Sequence, residues 1–208
     1  MKIALIGATG RTGHEVATMA RQRGHTVVAV GRSSAKLDGV EADSAVVADA
    51  TRAEELVPAL AGVDAVVVCV GPVPGQSLTV QRDAIAAVLE AMSVAGPKRL
   101  SAISASGWVV ADDDPLTRYL AKPLLRRVLR DANADFAAME QAIRTSTTRW
   151  TILRPPRLTD SRARGHYRSR RDGNVRWGFQ ISRADLAAAV LDDLEDSAPA
   201  NRTISVAN

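Results

Sequence analysis

The chain has 208 residues, 46% of them hydrophobic and 24% charged, which is enough for one sizeable core and short for two, and none of its apolar runs reaches the roughly 18 residues of a membrane-spanning helix. Its net charge of +4 would admit acidic partners, but the excess is arginine in an alanine-rich composition that a GC-rich genome produces unselected, and with 3% aromatic residues a nucleic-acid or membrane-surface role is disfavoured. The single cysteine, Cys69, excludes an internal disulfide, and His14, His25 and His166 have no metal-ligand spacing, so the expectation is a soluble, cytoplasmic protein without a metal.

In chain order, short β-branched runs alternate with amphipathic segments. This pattern builds a mostly parallel sheet covered on both faces, an α/β Rossmann-type three-layer sandwich. Strands are predicted at residues 2–6, 26–30, 45–48 and 65–70. Between them, Val16, Met19, Ala20 and Arg23 give one helix its stripe, and Thr51 with Glu54 has capping-box spacing for a second. Ile85, Val88, Leu89 and Met92 recur at helical spacing until Gly96-Pro97 ends the run, and residues 99–104 follow as the next strand. The polar stretch Ser104-Ala105-Ser106-Gly107 comes next, and residues 112–116, DDDPL, read as a loop. Residues 118–146 look helical, residues 150–153 read as a strand, and Pro155-Pro156 stops it because proline brings no amide hydrogen to a ladder. Residues 157–176 are polar and arginine-rich with no predicted element. Ser182 and Asp185 form a second capping box ahead of Leu186, Val190 and Leu194, and residues 202–206 offer a last strand.

Residues 7–13, GATGRTG, sit between the first strand and the first helix. In such a turn one glycine permits the bend, one lets backbone approach a pyrophosphate, and one lets helix and strand pack closely. Gly7, Gly10 and Gly13 fit those jobs at GxxGxxG spacing, with Thr9, Arg11 and Thr12 between them. The amides around Arg11 to Gly13 would face the phosphates with the helix dipole behind them. NAD binders commonly place a carboxylate at the end of the second strand to hold the ribose hydroxyls. Here that strand runs into Gly31, Arg32 and Ser33, so nothing negative repels a 2′-phosphate and a guanidinium can pair with it. NADP(H) is therefore expected over NAD(H), with Arg11 as a second positive contact.

Several stretches together resemble the atypical short-chain dehydrogenase/reductase superfamily, in its NAD(P)H-binding branch of biliverdin reductase B (flavin reductase) and the NmrA-like proteins. They are GATGRTG at 7–13, GR at 31–32, Asp49 in VVADAT, VGP at 70–72, SAISASG at 101–107, RPPRLTD at 154–160 and ISRADLA at 181–187. The resemblance implies one NAD(P)-binding domain over 1–208, with substrate-side elements at about 107–130 and 155–180. It further implies that Asp49 and Ala50 flank the adenine, that Val70 and Gly71 lie along the cofactor, that Ser104 approaches the nicotinamide ribose, and that Pro155, Pro156 and Leu158 border the nicotinamide. A plainer account exists beside it, in which Asp49 only opens a helix and Pro155-Pro156 only ends a strand.

Typical members of the superfamily carry Tyr-x-x-x-Lys, whose lysine lowers the tyrosine pKa for proton transfer. This chain has Tyr119 and Lys122 one residue closer, so the pattern fails, although both spacings keep a pair on one helix face. A hydride acceptor that already stabilises negative charge, such as a flavin, quinone or tetrapyrrole, needs no strong acid. Ser104 or Ser106 could then orient substrate or nicotinamide, and Trp108 could line a flat pocket. The arginines of 154–176, with Arg118, Lys122, Arg126, Arg127 and Arg130, are either a positive funnel for an anionic small molecule or a solvated face. The leading reading is an NADPH-dependent reductase of a conjugated small molecule. The alternative is an NmrA-like sensor that binds NADP(H) without turnover.

Overall fold

The computed structural model describes residues 1–71, 79–106, 130–197 and 201–208. Strand β1 (Lys2–Ile6) buries every residue after Lys2, and β2 (Thr26–Gly31) and β4 (Ala65–Val68) are likewise apolar on both faces, as parallel strands covered by helices on two sides require. Period-two alternation divides their side chains: Ile3 and Leu5 point into one hydrophobic cluster, Ala4 and Ile6 into another. The first cluster lies under helices α1 (Arg11–Gln22) and α6 (Arg183–Glu195), where Val16, Ala17, Leu186 and Val190 are buried. The second lies under α3 (Ala53–Leu60), α4 (Val80–Ala95) and α5 (Arg130–Thr145), where Leu56, Ile85, Met139 and Ile143 are buried. The architecture is helix layer, sheet, helix layer, the Rossmann-type α/β fold expected.

Strands β3 (Ser44–Val47), β5 (Arg99–Ile103), β6 (Arg149–Arg154), β8 (Arg168–Arg171) and β10 (Arg202–Ala207) extend the sheet in the order β3-β2-β1-β4-β5-β6-β10-β8. All of these pairs are parallel except β10 with β8. Because β1 pairs with both β2 and β4, chain direction across the sheet reverses at the β1/β4 boundary. Ile6 faces Val30 on one side and Val68 on the other, so the carboxyl ends of three strands open at one place. In an open α/β sheet that switch point is where a crevice forms.

Gly96, at φ +99°, caps α4 and donates its amide to Met92 O at 2.9 Å, as its sequence position predicts. Four other expectations are corrected. Residues 69 and 70 are not strand, because β4 ends at Val68 where the chain turns over Gly7. Residue 48 likewise falls outside β3, which ends at Val47. Thr51 is not a helix cap: α3 starts at Ala53 with Arg52 as N-cap, while the Thr51 hydroxyl donates to Asp49 at 2.8 Å. Residues 157–176, for which no element is predicted, contain β7 (Arg157–Thr159) and β8, and β7 pairs in parallel with β9 (Gln180–Ser182), which also has no sequence signal. The short helix α2 (Ser34–Leu37) also had no sequence signal. The Ser182 and Asp185 expectation holds, with the Ser182 hydroxyl accepting from the Asp185 amide at 3.0 Å.

Candidate cofactor and active site

Gly7 opens the loop at φ +82°, a left-handed backbone that only glycine adopts without strain. A Cβ there would also stand 3.0 Å from the Cys69 carbonyl carbon and 3.1 Å from the Val70 nitrogen, so β4's exit passes directly over it. Its amide and that of Ala8 both donate to Val30 O, at 3.1 and 3.2 Å, which fastens the turn to β2. Gly13 is still tighter: a Cβ would lie 2.4 Å from Gly7 O, so α1 rests on the loop. Gly10, extended at φ −79° and ψ 159°, is the N-cap. The first helical bond runs from the His14 amide to Gly10 O at 2.9 Å, so helix geometry leaves the amides of Arg11, Thr12 and Gly13 without intrahelical acceptors. A cradle that has no room for side chains and is ringed by first-turn amides fits a pyrophosphate.

Thr9 lies over the end of β2, where a Cβ on Gly31 would come 2.9 Å from its Cγ2. Arg32 follows, exposed, and Ser33 heads α2 half-buried. Asp49, one position past the buried Ala48 at the end of β3, is close enough for the Arg32 charge to help hold its carboxyl below the usual range. The larger cause is the Thr51 amide, which donates to Asp49 Oδ1 at 2.9 Å. Asp49 thus holds the turn that leads into α3, and Ala50 packs against the core cluster beneath α3. Val70 packs there too, whereas Gly71 is exposed, with nothing within 4 Å of where its Cβ would be.

Beyond β5 and β6 the chain continues side by side. The Ser104 amide donates to Leu153 O and the Ser106 amide to Pro155 O, both at 2.8 Å, which brings residues 104–106 alongside residues 153–155. Ser104 is 4% exposed and its hydroxyl donates to Glu140 Oε1 at 2.7 Å. Glu140 is fully buried on α5 and also accepts from Arg154, through Nε at 2.8 Å and through a terminal nitrogen, and from Arg144 at 2.8 Å. Neither Glu140 nor its partnership with Arg154 was anticipated, because a glutamate on an amphipathic helix reads as solvated. Pro155 is buried, Pro156 and Leu158 are half-buried, and Leu158 packs on the α1/α6 cluster. Trp108, Tyr119, Lys122, Arg118, Arg126, Arg127 and the loop 112–116 lie outside the described residues, as do Pro72 and Gly107 of the quoted motifs, and the predicted helix is described over Arg130–Thr145.

Arg11, expected as a second positive contact, donates to Asp160 Oδ2 at 2.7 Å, and Arg183 donates to Asp160 Oδ1 at 2.5 Å. This links the glycine loop to the end of RPPRLTD and the start of α6. Buried Asp185 collects the amides of Arg164 and Gly165, the Ser182 hydroxyl and the Asn208 side chain, all between 2.7 and 3.1 Å. Burial by itself would raise its pKa, but these donors outweigh burial and lower it.

A family model for NAD(P)H-binding proteins matches residues 7–197. The chain belongs to this NAD(P)H-binding family. The uncharacterized protein YwnB of Bacillus subtilis is 31% identical over 215 residues, covering 99% of this chain and 98% of YwnB. Among solved structures, a candidate NADH-flavin reductase from Streptococcus pneumoniae superposes with a TM-score of 0.83 at 25% identity, covering 100% of this chain and 99% of that one. The anaerobilin reductase ChuY of Escherichia coli O157:H7 shares the fold, with a TM-score of 0.79 at 21% identity over 100% of this chain and 97% of that one. Among the described residues, no helix is long and apolar enough to cross a membrane.

Proposed function

We propose that the protein is an NADPH-dependent reductase that passes a hydride to a conjugated small-molecule acceptor, with the whole chain, 1–208, serving as one NAD(P)-binding domain. The observation that carries this reading is the side-chain-free mouth at Gly7, Gly10 and Gly13, set at the sheet's switch point under the amides of Arg11, Thr12 and Gly13. Those amides would hold the pyrophosphate, Arg32 and Ser33 the adenosine 2′-phosphate, and Val70 and Gly71 the wall alongside. Bound there, NADPH supplies a hydride, two electrons and one proton, and the acceptor takes its second proton from water. Ser104, Ser106 and Pro155 border the reacting end, where their paired backbones form a rigid shelf that orients the partners. The Ser104 hydroxyl hydrogen is directed at Glu140, so Ser104 orients by accepting hydrogen bonds and does not act as the acid.

The reading is tested by following loss of the reduced-nicotinamide absorbance with flavins, quinones, tetrapyrroles and aldehydes as acceptors. Turnover with a conjugated acceptor and none with aliphatic aldehydes is expected. Tight NADPH binding without turnover of any acceptor would transfer the site to the sensor reading, which the commitment of Ser104 to Glu140 favours. For the nucleotide, Arg32→Asp is expected to weaken NADPH binding about tenfold or more and NADH binding little, since a charge-assisted phosphate contact contributes roughly 1.5–3 kcal/mol. Equal losses for the two nucleotides would remove Arg32 from the 2′-phosphate.

A further inference from the structure

Trp177 and Phe179 are large apolar side chains left 56% and 59% exposed. Their rings sit edge to face, with centroids 6.3 Å apart and planes at 64°. Trp177 has φ +56°, a conformation that costs a bulky side chain energy and persists only where the surroundings impose it. The surroundings do impose it. The Arg168 guanidinium donates to three main-chain oxygens, those of Arg176 at 2.8 Å, Asn208 at 3.0 Å and Trp177 at 3.4 Å. Next to it Gly178 presses on β10, where a Cβ would stand 2.6 Å from the Ala207 methyl carbon. A strained, clamped and exposed aromatic pair has no packing role to explain it.

Its position supplies a role. Arg157 of β7 is paired with Gln180 of β9, and extending that register by one residue places Phe179 beside Pro156, at the carboxyl end of β6. The pair therefore stands at the rim that holds Pro155 and Ser106. Arg157 follows Pro156 and Arg176 precedes Trp177 in the chain; both are exposed, and among the described residues neither guanidinium has a hydrogen-bond or ion-pair partner. Of the acidic groups on the same stretch, Asp160 is taken up by Arg11 and Arg183, and Asp172 lies at the turn after β8. Aromatic faces with unpaired guanidinium groups beside them complement a flat conjugated ring that bears a phosphate or carboxylate.

The geometry points to Trp177 and Phe179 as an angled aromatic platform for a planar, anionic acceptor that stacks on one ring and meets the other at an angle, with Arg157 and Arg176 holding its acidic group. This deepens the reductase reading and rests on it for the word acceptor, but binding to the platform does not require hydride transfer. The test is equilibrium binding of flavin mononucleotide and of riboflavin, its uncharged counterpart, followed by flavin fluorescence with no nicotinamide present. Trp177→Ala is expected to weaken both flavins about tenfold, in line with the roughly 1–3 kcal/mol of an aromatic stack. Arg176→Gln combined with Arg157→Gln is expected to weaken flavin mononucleotide alone, by an amount that shrinks as salt rises.

Trp177→Gly keeps the test clear of misfolding, because glycine suits this backbone: its melting temperature is expected to be no lower than that of the unaltered protein while flavin affinity falls. The proposal is overturned if the unaltered protein binds neither flavin, or if Trp177→Ala and Phe179→Ala bind both flavins unchanged. Absence of NADPH oxidation with every acceptor of the panel, bound flavins included, would overturn the reductase reading and leave the platform standing.

Discussion

Gly13 and Gly71 separate steric necessity from access. A Cβ at Gly13 would meet Gly7 O at 2.4 Å and Ala8 O at 2.7 Å, and backbone oxygens inside a turn fastened to β2 cannot step aside. Gly71 has nothing within 4 Å of that position and is exposed. Gly13→Ala is accordingly expected to lower stability by about 1–3 kcal/mol, the usual cost of overpacking, and to lose NADPH affinity with it. Gly71→Ala is expected to leave the melting temperature unchanged and to weaken NADPH alone. A Gly71→Ala protein with unchanged NADPH affinity would take Gly71 off the cofactor wall. The glycines were legible in the sequence because their constraint is local: spacing three, directly behind a strand, has few other uses. Glu140 was not legible, because what makes it matter is Arg154 on β6 and Ser104 after β5, neither of which is near it in sequence.

At the scale of elements, the N-terminus of α6 is a junction. Asp185, in its first turn, ties the amides of Arg164 and Gly165 and the side chains of Ser182 and Asn208 to one carboxylate, and Asn208 in turn accepts from the Ser182 amide at 2.9 Å. The motif ISRADLA is thus a clamp that holds residues 164–165 and the end of β10 against α6. Its pKa is lowered in the fold, so the clamp contributes stability above the unfolded carboxyl value of about 3.9 and loses it as pH falls through the lower folded value. Thermal unfolding of the unaltered protein should therefore show an acid limb below about pH 4. Asp185→Asn should flatten that limb and cost about 3 kcal/mol at neutral pH, because an amide cannot accept from all the donors that the carboxylate served. An Asp185→Asn protein with an undiminished acid limb would assign the limb to other carboxylates. The capping box was readable from Ser182 and Asp185 because it is a contact over three residues, whereas the reach to residues 164–165 depends on the fold of the whole segment.

Across the whole molecule, most strands that could be read in the sequence are the buried ones, with exposed β3 the exception, and those that escaped lie within residues 157–182. Strands β1, β2, β4, β5 and β6 are apolar runs because they are covered on both faces, and their pattern implied the parallel sheet and hence the crevice at its switch point. The sequence RSRR at β8 carries no β-branched or aromatic residue and is exposed throughout. It is a strand because Ile204 to Ala207 of β10 offer it an open edge, so its conformation is imposed by tertiary pairing. That same composition ends the sheet. Strand β8 has β10 on one side and, among the described residues, no partner on the other, and a row of guanidinium groups there opposes pairing with a second chain through charge repulsion. Ser169→Val with Arg171→Val would convert the margin to an apolar edge without touching Arg168, which clamps Trp177. The doubly substituted protein is expected to sediment with a concentration-dependent heavier species, which the unaltered protein does not form and which the addition of arginine to the buffer disperses. Identical sedimentation of the two proteins would show that twist and shortness, and not charge, keep this edge unpaired.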